Sequence, residues 1–206
     1  MTDMTIGHTH AADDHHEAQS IFNQKLAMWV YLASEVVIFS VLIFAYVVFR
    51  VNQPEAVKAV HEEVGVALVT FNTFLLLSSS WSMVMGLRQI QKGNQRGLIQ
   101  WLSLTTLLGA IFVFLQYVEY RELGHLQVTL GYDTDAFNGF GMHFYAPTAF
   151  HGVHVIVGVI WCLFVIRHAA KGGYSPRNHV GVEVFGLYWH FVDVVWILLF
   201  TLIYLV

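Results

Sequence analysis

The sequence predicts an all-α membrane protein, a bundle of five transmembrane helices, and three observations carry that prediction. Five apolar stretches, at about residues 26–49, 64–87, 98–118, 140–166 and 182–206, are each at least 20 residues long. A helix rises about 1.5 Å per residue and the hydrocarbon core is about 30 Å thick, so each stretch is long enough to cross. Charge is scarce: 12% of residues are charged against 56% hydrophobic, and the mean hydropathy is +0.58. A soluble domain carries about twice that charge fraction. Alternating strand patterns are missing, and inside lipid a helix satisfies every backbone amide within its own segment where an open strand does not.

The first 25 residues precede these spans and are polar and acidic, with Asp3, Asp13, Asp14 and Glu17. They lack the basic start and short apolar run of a cleavable signal peptide, so insertion is expected to rely on the first helix. His8, His10, His15 and His16 also lie there. With no further ligand shell around them, a disordered cytoplasmic tail is the expectation for 1–25, and 26–206 is read as a single transmembrane domain.

In the first span Glu35 lies nine residues from the start, about 14 Å by helix rise. A carboxyl group there costs roughly 3 kcal/mol or more against lipid, so it is expected to face protein. With Tyr31, Ile38, Leu42 and Tyr46 it forms a stripe at helical spacing that should look into the bundle. The second span has no charge, but Ser78, Ser82 and Gly86 recur every four residues, and small residues at that spacing allow close helix contact. The third span repeats the theme with Thr105 and Gly109 and ends in Gln116, Tyr117, Val118, Glu119 and Tyr120. Glu119 is read at the membrane boundary, where a charge is cheaper than at Glu35.

The fourth span places His143, His151, His154 and Gly158 in about a quarter-turn sector. Pro147 removes the amide that would have bonded the His143 carbonyl, so a kink is expected near His143. In the last span Glu183, Gly186, His190 and Asp193 recur at intervals of three and four, which puts them on one face with His190 and Asp193 in reach of each other. The predicted topology brings Glu35, His154, His190 and Asp193 to similar depths, as a shared polar layer.

The connections are short and punctuated, by Asn52, Gln53 and Pro54, by Gly93 and Asn94, and by Gly172, Gly173 and Pro176. Lys25, Arg88, Lys92, Arg96, Arg167, Lys171 and Arg177, seven of the ten basic residues, fall on one side. That side is expected to be cytoplasmic, which puts the N-terminus inside and the C-terminus outside.

A formal net charge of −4 with no basic face excludes a phosphate-tracking surface, so nucleic acid is not a partner. The single cysteine, Cys162, leaves no disulfide or cysteine cluster within the chain and is read as packing. Helix histidines do serve as axial haem ligands elsewhere, yet His151 and His154 come without a complete ligand set and equally suit hydrogen bonds between helices. No nucleotide loop and no nucleophile with an evident base is present. The chain itself is expected to hold no catalytic, cofactor-binding or metal residues.

At these residues the sequence meets a family. Tyr188-Trp189-His190-Phe191-Val192-Asp193-Val194-Val195-Trp196 resembles the signature in the last helix of subunit III of haem-copper oxidases. Phe150-His151-Gly152-Val153-His154-Val155 is similar to a second run of that family. The family's first-helix carboxylate matches Glu35, the acid preceding its final helix matches Glu183, and its helix-ending pair matches Glu119 and Tyr120. The likeness extends from about Lys25 to Val206. Mitochondrial members have seven helices, and this chain resembles the five-helix bacterial form that lacks the first two.

The resemblance implies a subunit of the bacterial inner membrane that holds no redox centre of its own. Haem and copper belong to its partners, the catalytic subunit I and subunit II, within an assembly that extends to a larger respiratory supercomplex. The complex reduces oxygen to water with electrons from cytochrome c or quinol and moves protons across the membrane. This subunit is expected to support assembly, bind phospholipid and sustain proton uptake, with Glu35, Glu119, His151, His154, Glu183, His190 and Asp193 as its candidate polar groups. Two other readings stand beside this one. A subunit-III-like partner of a nitric oxide reductase shares the signature. A stand-alone proton-coupled transporter would use Glu35, His154, His190 and Asp193 as a relay, but the sequence has no evident internal repeat and an odd number of helices.

Overall fold

The computed structural model describes residues 4–63, 66–125, 127–128 and 139–205, with side chains from 18–58 and from 67 onward within those ranges. Six α-helices follow one another: α1 (Met4–Asn52), α2 (Pro54–Glu63), α3 (Val66–Gln91), α4 (Gln95–His125), α5 (Phe140–Ala170) and α6 (Val180–Phe200), closed by a π-helical turn at Thr201–Leu205. No strand occurs among the described residues. Five segments are long and apolar enough to cross a membrane: Ala18–Asn52, Ala67–Gln91, Gln95–His125, Phe140–Ala170 and Val180–Leu205. All five expected spans are therefore helices of crossing length.

The backbone of α1 is helical from Met4 onward. The side chains of His8, His10, His15 and His16 lie outside the described residues. The connection after Asn52 is not a bare loop but contains α2, ten residues long. Pro54 opens α2, where its missing amide costs nothing, and Glu55 complements the positive end of the helix dipole. Ala56 and Val57 are buried, and α2 packs back on α1.

Neighbours in the bundle follow from the short turns. Three residues join α3 to α4. Gly93 takes φ +78° to end the first helix, and the Asn94 side chain accepts from the Gly97 amide at 3.0 Å to start the second. The pair runs antiparallel in close contact: Ser82 donates to the Trp101 carbonyl at 2.8 Å, and a Cβ at Gly86 would meet Trp101 at 3.4 Å. Ser78, expected on the same stripe, is spent on the Phe74 carbonyl of its own helix. Beyond this hairpin α4 packs on α5, α5 and α3 pack on α6, and α1 lies across α5 and α6. The helix α5 runs unbroken through Pro147.

Trp189 is the keystone of the packing. Its ring fits a notch between Gly109 of α4 and Gly158 of α5, where added Cβ atoms would stand 2.7 and 2.6 Å from ring carbons. Its indole nitrogen donates to Ser79 of α3 at 2.9 Å. One side chain thus joins four helices. Two turns further, Trp196 donates to Thr73 of α3 at 2.9 Å. Both tryptophans are fully buried, and a buried indole requires an acceptor of this kind.

Candidate functional site

The face of α1 that turns inward is not the stripe expected. Leu32, Glu35, Phe39, Tyr46 and Phe49 are buried, whereas Tyr31 and Ile38 are exposed. Both stripes contain Glu35 and Tyr46, but the aromatic rings decide the rotation. Phe39 packs against Phe150 and Phe191, and Phe49 stacks on His143 at 4.4 Å.

Glu35 therefore meets α5, and its Oε2 lies 3.3 Å from Nε2 of His154. The two are close without the alignment of an ordinary hydrogen bond. His154 is oriented by its other nitrogen, since Nδ1 donates to the Phe150 carbonyl at 2.8 Å. With Nδ1 carrying that hydrogen, Nε2 is the nitrogen turned toward the carboxyl group. Phe39 and Phe150 wall the imidazole, and Tyr188 donates to the His154 carbonyl at 2.8 Å, which sets α6 at the same level.

His190 and Asp193 follow Tyr188 by two and five residues, so they lie about 3 and 8 Å further along the helix. All four polar groups thus fall within about 8 Å in depth, but they do not join. His190 turns toward α3, with Nδ1 2.5 Å from the Ser80 hydroxyl. Among the described residues His190 and Asp193 form no ion pair, although the sequence spacing put them in reach. Asp193 is 3% exposed and lies beside the same Ser80 hydroxyl without the geometry of an ordinary hydrogen bond. The stripe of α6 resolves into separate contacts because neighbouring helices, not the helix itself, supply each partner.

His151 is fully buried, stacked on Trp196 at 4.9 Å and edged by Phe112. Neither ring nitrogen has a hydrogen-bond partner among the described residues. Glu119, read at the boundary, is 6% exposed and accepts from Gln116 at 2.6 Å. Glu183 lies in the first turn of α6 and is bracketed by Lys25 at 2.5 Å and His179 at 3.1 Å. Among the described residues no three histidine, cysteine, aspartate or glutamate side chains converge as a metal set.

The Lys25 to Glu183 contact marks the mouth of a cavity of about 340 Å³ between α1, α3 and α6, lined by Trp29, Met83, Leu87, Gly186 and His190 among others. Trp29, Leu187 and His190 also line a second, almost wholly apolar groove of about 440 Å³ that continues along α1 and α6 past Leu32, Val36 and Val194. Sequence reasoning missed Lys25, Trp29 and Ser80 as partners. Lys25 was visible as a lone cation at the start of a span, and Ser80 as part of a run of serines.

Comparison with known proteins matches residues 2–206 to the family model described as cytochrome c oxidase subunit III. The chain is 38% identical over 196 residues to a cytochrome c oxidase subunit 3 of Thermostichus vulcanus, covering 95% of this chain and 92% of that one. It is 34% identical over 180 residues to a quinol oxidase subunit 3 of Bacillus spizizenii, covering 87% and 85%. It is 33% identical over 187 residues to a cytochrome bo(3) ubiquinol oxidase subunit 3 of Buchnera aphidicola, covering 90% and 93%. With the family signatures seated at the centre of a five-span helical bundle and the match running the length of the sequence, the chain belongs to the cytochrome c oxidase subunit III family.

Proposed function

We propose that the chain is a non-catalytic flank of a haem-copper terminal oxidase, packed against the catalytic subunit I with subunit II. In this reading haem and copper reside in those partners, this chain has no redox centre, and its N-terminus faces the cytoplasm across the bacterial inner membrane. Its own work is to support assembly, to hold phospholipid and to sustain proton uptake by its neighbour. The observation that carries the reading is the seam between α1 and α6. There a charged mouth at Lys25 and Glu183 opens into an apolar groove, the shape and polarity of a lipid with its headgroup at the membrane face. Glu35 follows Leu32 and precedes Val36, two residues of the groove wall, so the contact of Glu35 with His154 lies close behind it.

Purification through an affinity tag on this chain tests the reading. Recovery with a haem-bearing larger subunit, whose absorption spectrum shows haem and whose lipid extract contains phospholipid, is the expected result. Isolation of the chain by itself with no haem partner, or iron or copper bound to its own side chains, would overturn it.

A further inference from the structure

At the end of the bundle away from Lys25 and Glu183, polar side chains of α4, α5 and the π-helical turn close on one another. Glu119 accepts from Gln116, the Tyr204 hydroxyl lies beside both of them, and the Tyr120 hydroxyl lies beside Gln116 and Thr148. Three residues along α5 from Thr148, His151 stacks on Trp196, and Trp196 packs in turn against Tyr204. Gln116, Glu119, His151 and Tyr204 are each more than nine-tenths buried. Yet Oε1 of Gln116, Oε1 of Glu119, the hydroxyls of Tyr120 and Tyr204 and both ring nitrogens of His151 have no hydrogen-bond partner of ordinary geometry among the described residues. The buried aromatic donors Trp189, Trp196, Tyr46 and Tyr188 all find acceptors in the same core, so Tyr120 and Tyr204 stand apart from them.

We propose that this cluster is a binding site for ordered water, which bridges Gln116, Glu119, Tyr120, Tyr204 and His151 inside the membrane-crossing segments. It rests on different residues from the contact of Glu35 with His154 and from the groove between α1 and α6. His151 decides between water and direct bonding. A neutral imidazole always carries one N–H and one bare nitrogen, and aromatic rings enclose this one, with Trp196 stacked at 4.9 Å and Phe112 edge-on at 5.9 Å. The indole N–H of Trp196 is spent on Thr73, and among the described residues no carboxylate pairs with His151. Water supplies what the rings do not, a hydrogen for one nitrogen and a lone pair for the other. The mixture of groups selects water over a metal ion as well. A cation asks for oxygen lone pairs alone, whereas the two hydroxyls and the imidazole bring hydrogens that only a ligand able to accept can use. A buried water makes about three hydrogen bonds, so the unmatched atoms call for about two molecules. Held there, they join α4 and α5 to the turn that follows α6.

The test uses the chain purified in its native assembly and imaged by electron cryomicroscopy at a resolution that shows ordered solvent. Peaks at about 2.7–3.2 Å from Glu119 Oε1, from the Tyr204 hydroxyl and from a ring nitrogen of His151 are expected. A map in which these side chains bond one another with nothing between them overturns the proposal. So does a peak ringed by oxygens at about 2.3–2.6 Å, the mark of a cation such as calcium. Labelling with X-ray-generated hydroxyl radicals reads the same sample a second way, since water held against a side chain oxidises it where bulk solvent does not reach. Tyr204 should be oxidised several-fold faster than Tyr46 and Tyr188, which are likewise buried and whose hydroxyls are spent on main-chain carbonyls. Equal rates for the three tyrosines overturn the proposal. The variant H151F keeps an aromatic ring against Trp196 and removes both nitrogens, so the peak beside position 151 should vanish. A peak that stays there overturns its assignment to the imidazole. If the variant does not assemble, the map and the labelling of the natural chain decide the matter.

Discussion

The Arg50 guanidinium, in the last turn of α1, donates to the main-chain carbonyl of Leu202 at 3.0 Å, tying together residues 152 positions apart. Beside it Tyr46 donates to the Ile203 carbonyl at 3.4 Å. The π-helical turn at Thr201–Leu205 leaves carbonyls without partners in their own helix. A cation at that end also meets the negative pole of the helix dipole. Helices α1 and α6 are thereby locked in parallel at one end, while Lys25 and Glu183 join them at the other.

Replacing Arg50 by Leu should loosen this end alone. A charge-assisted hydrogen bond contributes about 1.5–3 kcal/mol, and R50L is expected to lose about 1–2 kcal/mol of stability because Arg50 is only half-buried. Hydrogen exchange should quicken at the amides of Leu202 to Leu205 and stay unchanged in α3 and α4. R50K should restore most of the protection. Uniform acceleration across the bundle would show that the contact is not local.

Gly158 is a sharper test of the packing. A Cβ there would stand 2.6 Å from Cζ3 of Trp189 and 2.9 Å from Cε3, so the ring must move. The ring is also wedged against Gly109 and bonded to Ser79, which leaves it no free direction. Overpacking of this kind costs about 1–3 kcal/mol. G158A is expected to lower the melting temperature of the detergent-solubilised protein, whereas G152A, where nothing lies within 4 Å of the added Cβ, should not. Equal melting of the two variants would count against the notch.

The hydrogen bond from Trp189 to Ser79 should show as coupling in a double-mutant cycle. S79A leaves a buried indole N–H without an acceptor, at a cost of about 1–3 kcal/mol. In a W189F background the same substitution should cost much less, since no donor remains to be stranded. Additive losses in the two backgrounds would mean that Ser79 contributes through something other than this bond.

What was legible in the sequence follows from what a single helix encodes. Length and apolar composition fixed five spans, and spacing by three and four placed His151, His154, Gly158, Gly186 and Asp193 on buried faces, where they are found. Spacing says which way a side chain points and not what it meets. His190 and Asp193 were adjacent on their helix, yet Ser80 of α3 takes the imidazole. On α1 the buried face is turned by about 40° from the expected stripe at 100° per residue, and the rings of Phe39 and Phe49 against α5 and α6 set that rotation. The helix α4 continues past Glu119 to His125, and Glu119 is buried among its neighbours. The helix α2 was hidden by its brevity, with Pro54 legible as punctuation and equally as a helix start.

The contact of Glu35 with His154 supports a prediction about turnover. Because His154 Nδ1 is committed to the Phe150 carbonyl, Nε2 is the nitrogen that faces the Glu35 carboxyl group 3.3 Å away. E35Q replaces that arrangement by an amide that donates to Nε2 and cannot give its hydrogen up. The variant should therefore keep α1 seated on α5 and assemble as the natural protein does. Any service the pair performs through a proton should be lost. The expected result is normal initial oxygen consumption by the purified complex with a several-fold shorter working life over repeated turnovers. E35A, which leaves His154 without its partner, should impair assembly as well. A decay curve for E35Q that overlays the natural one would remove the proton from the role and leave Glu35 as a packing contact between α1 and α5.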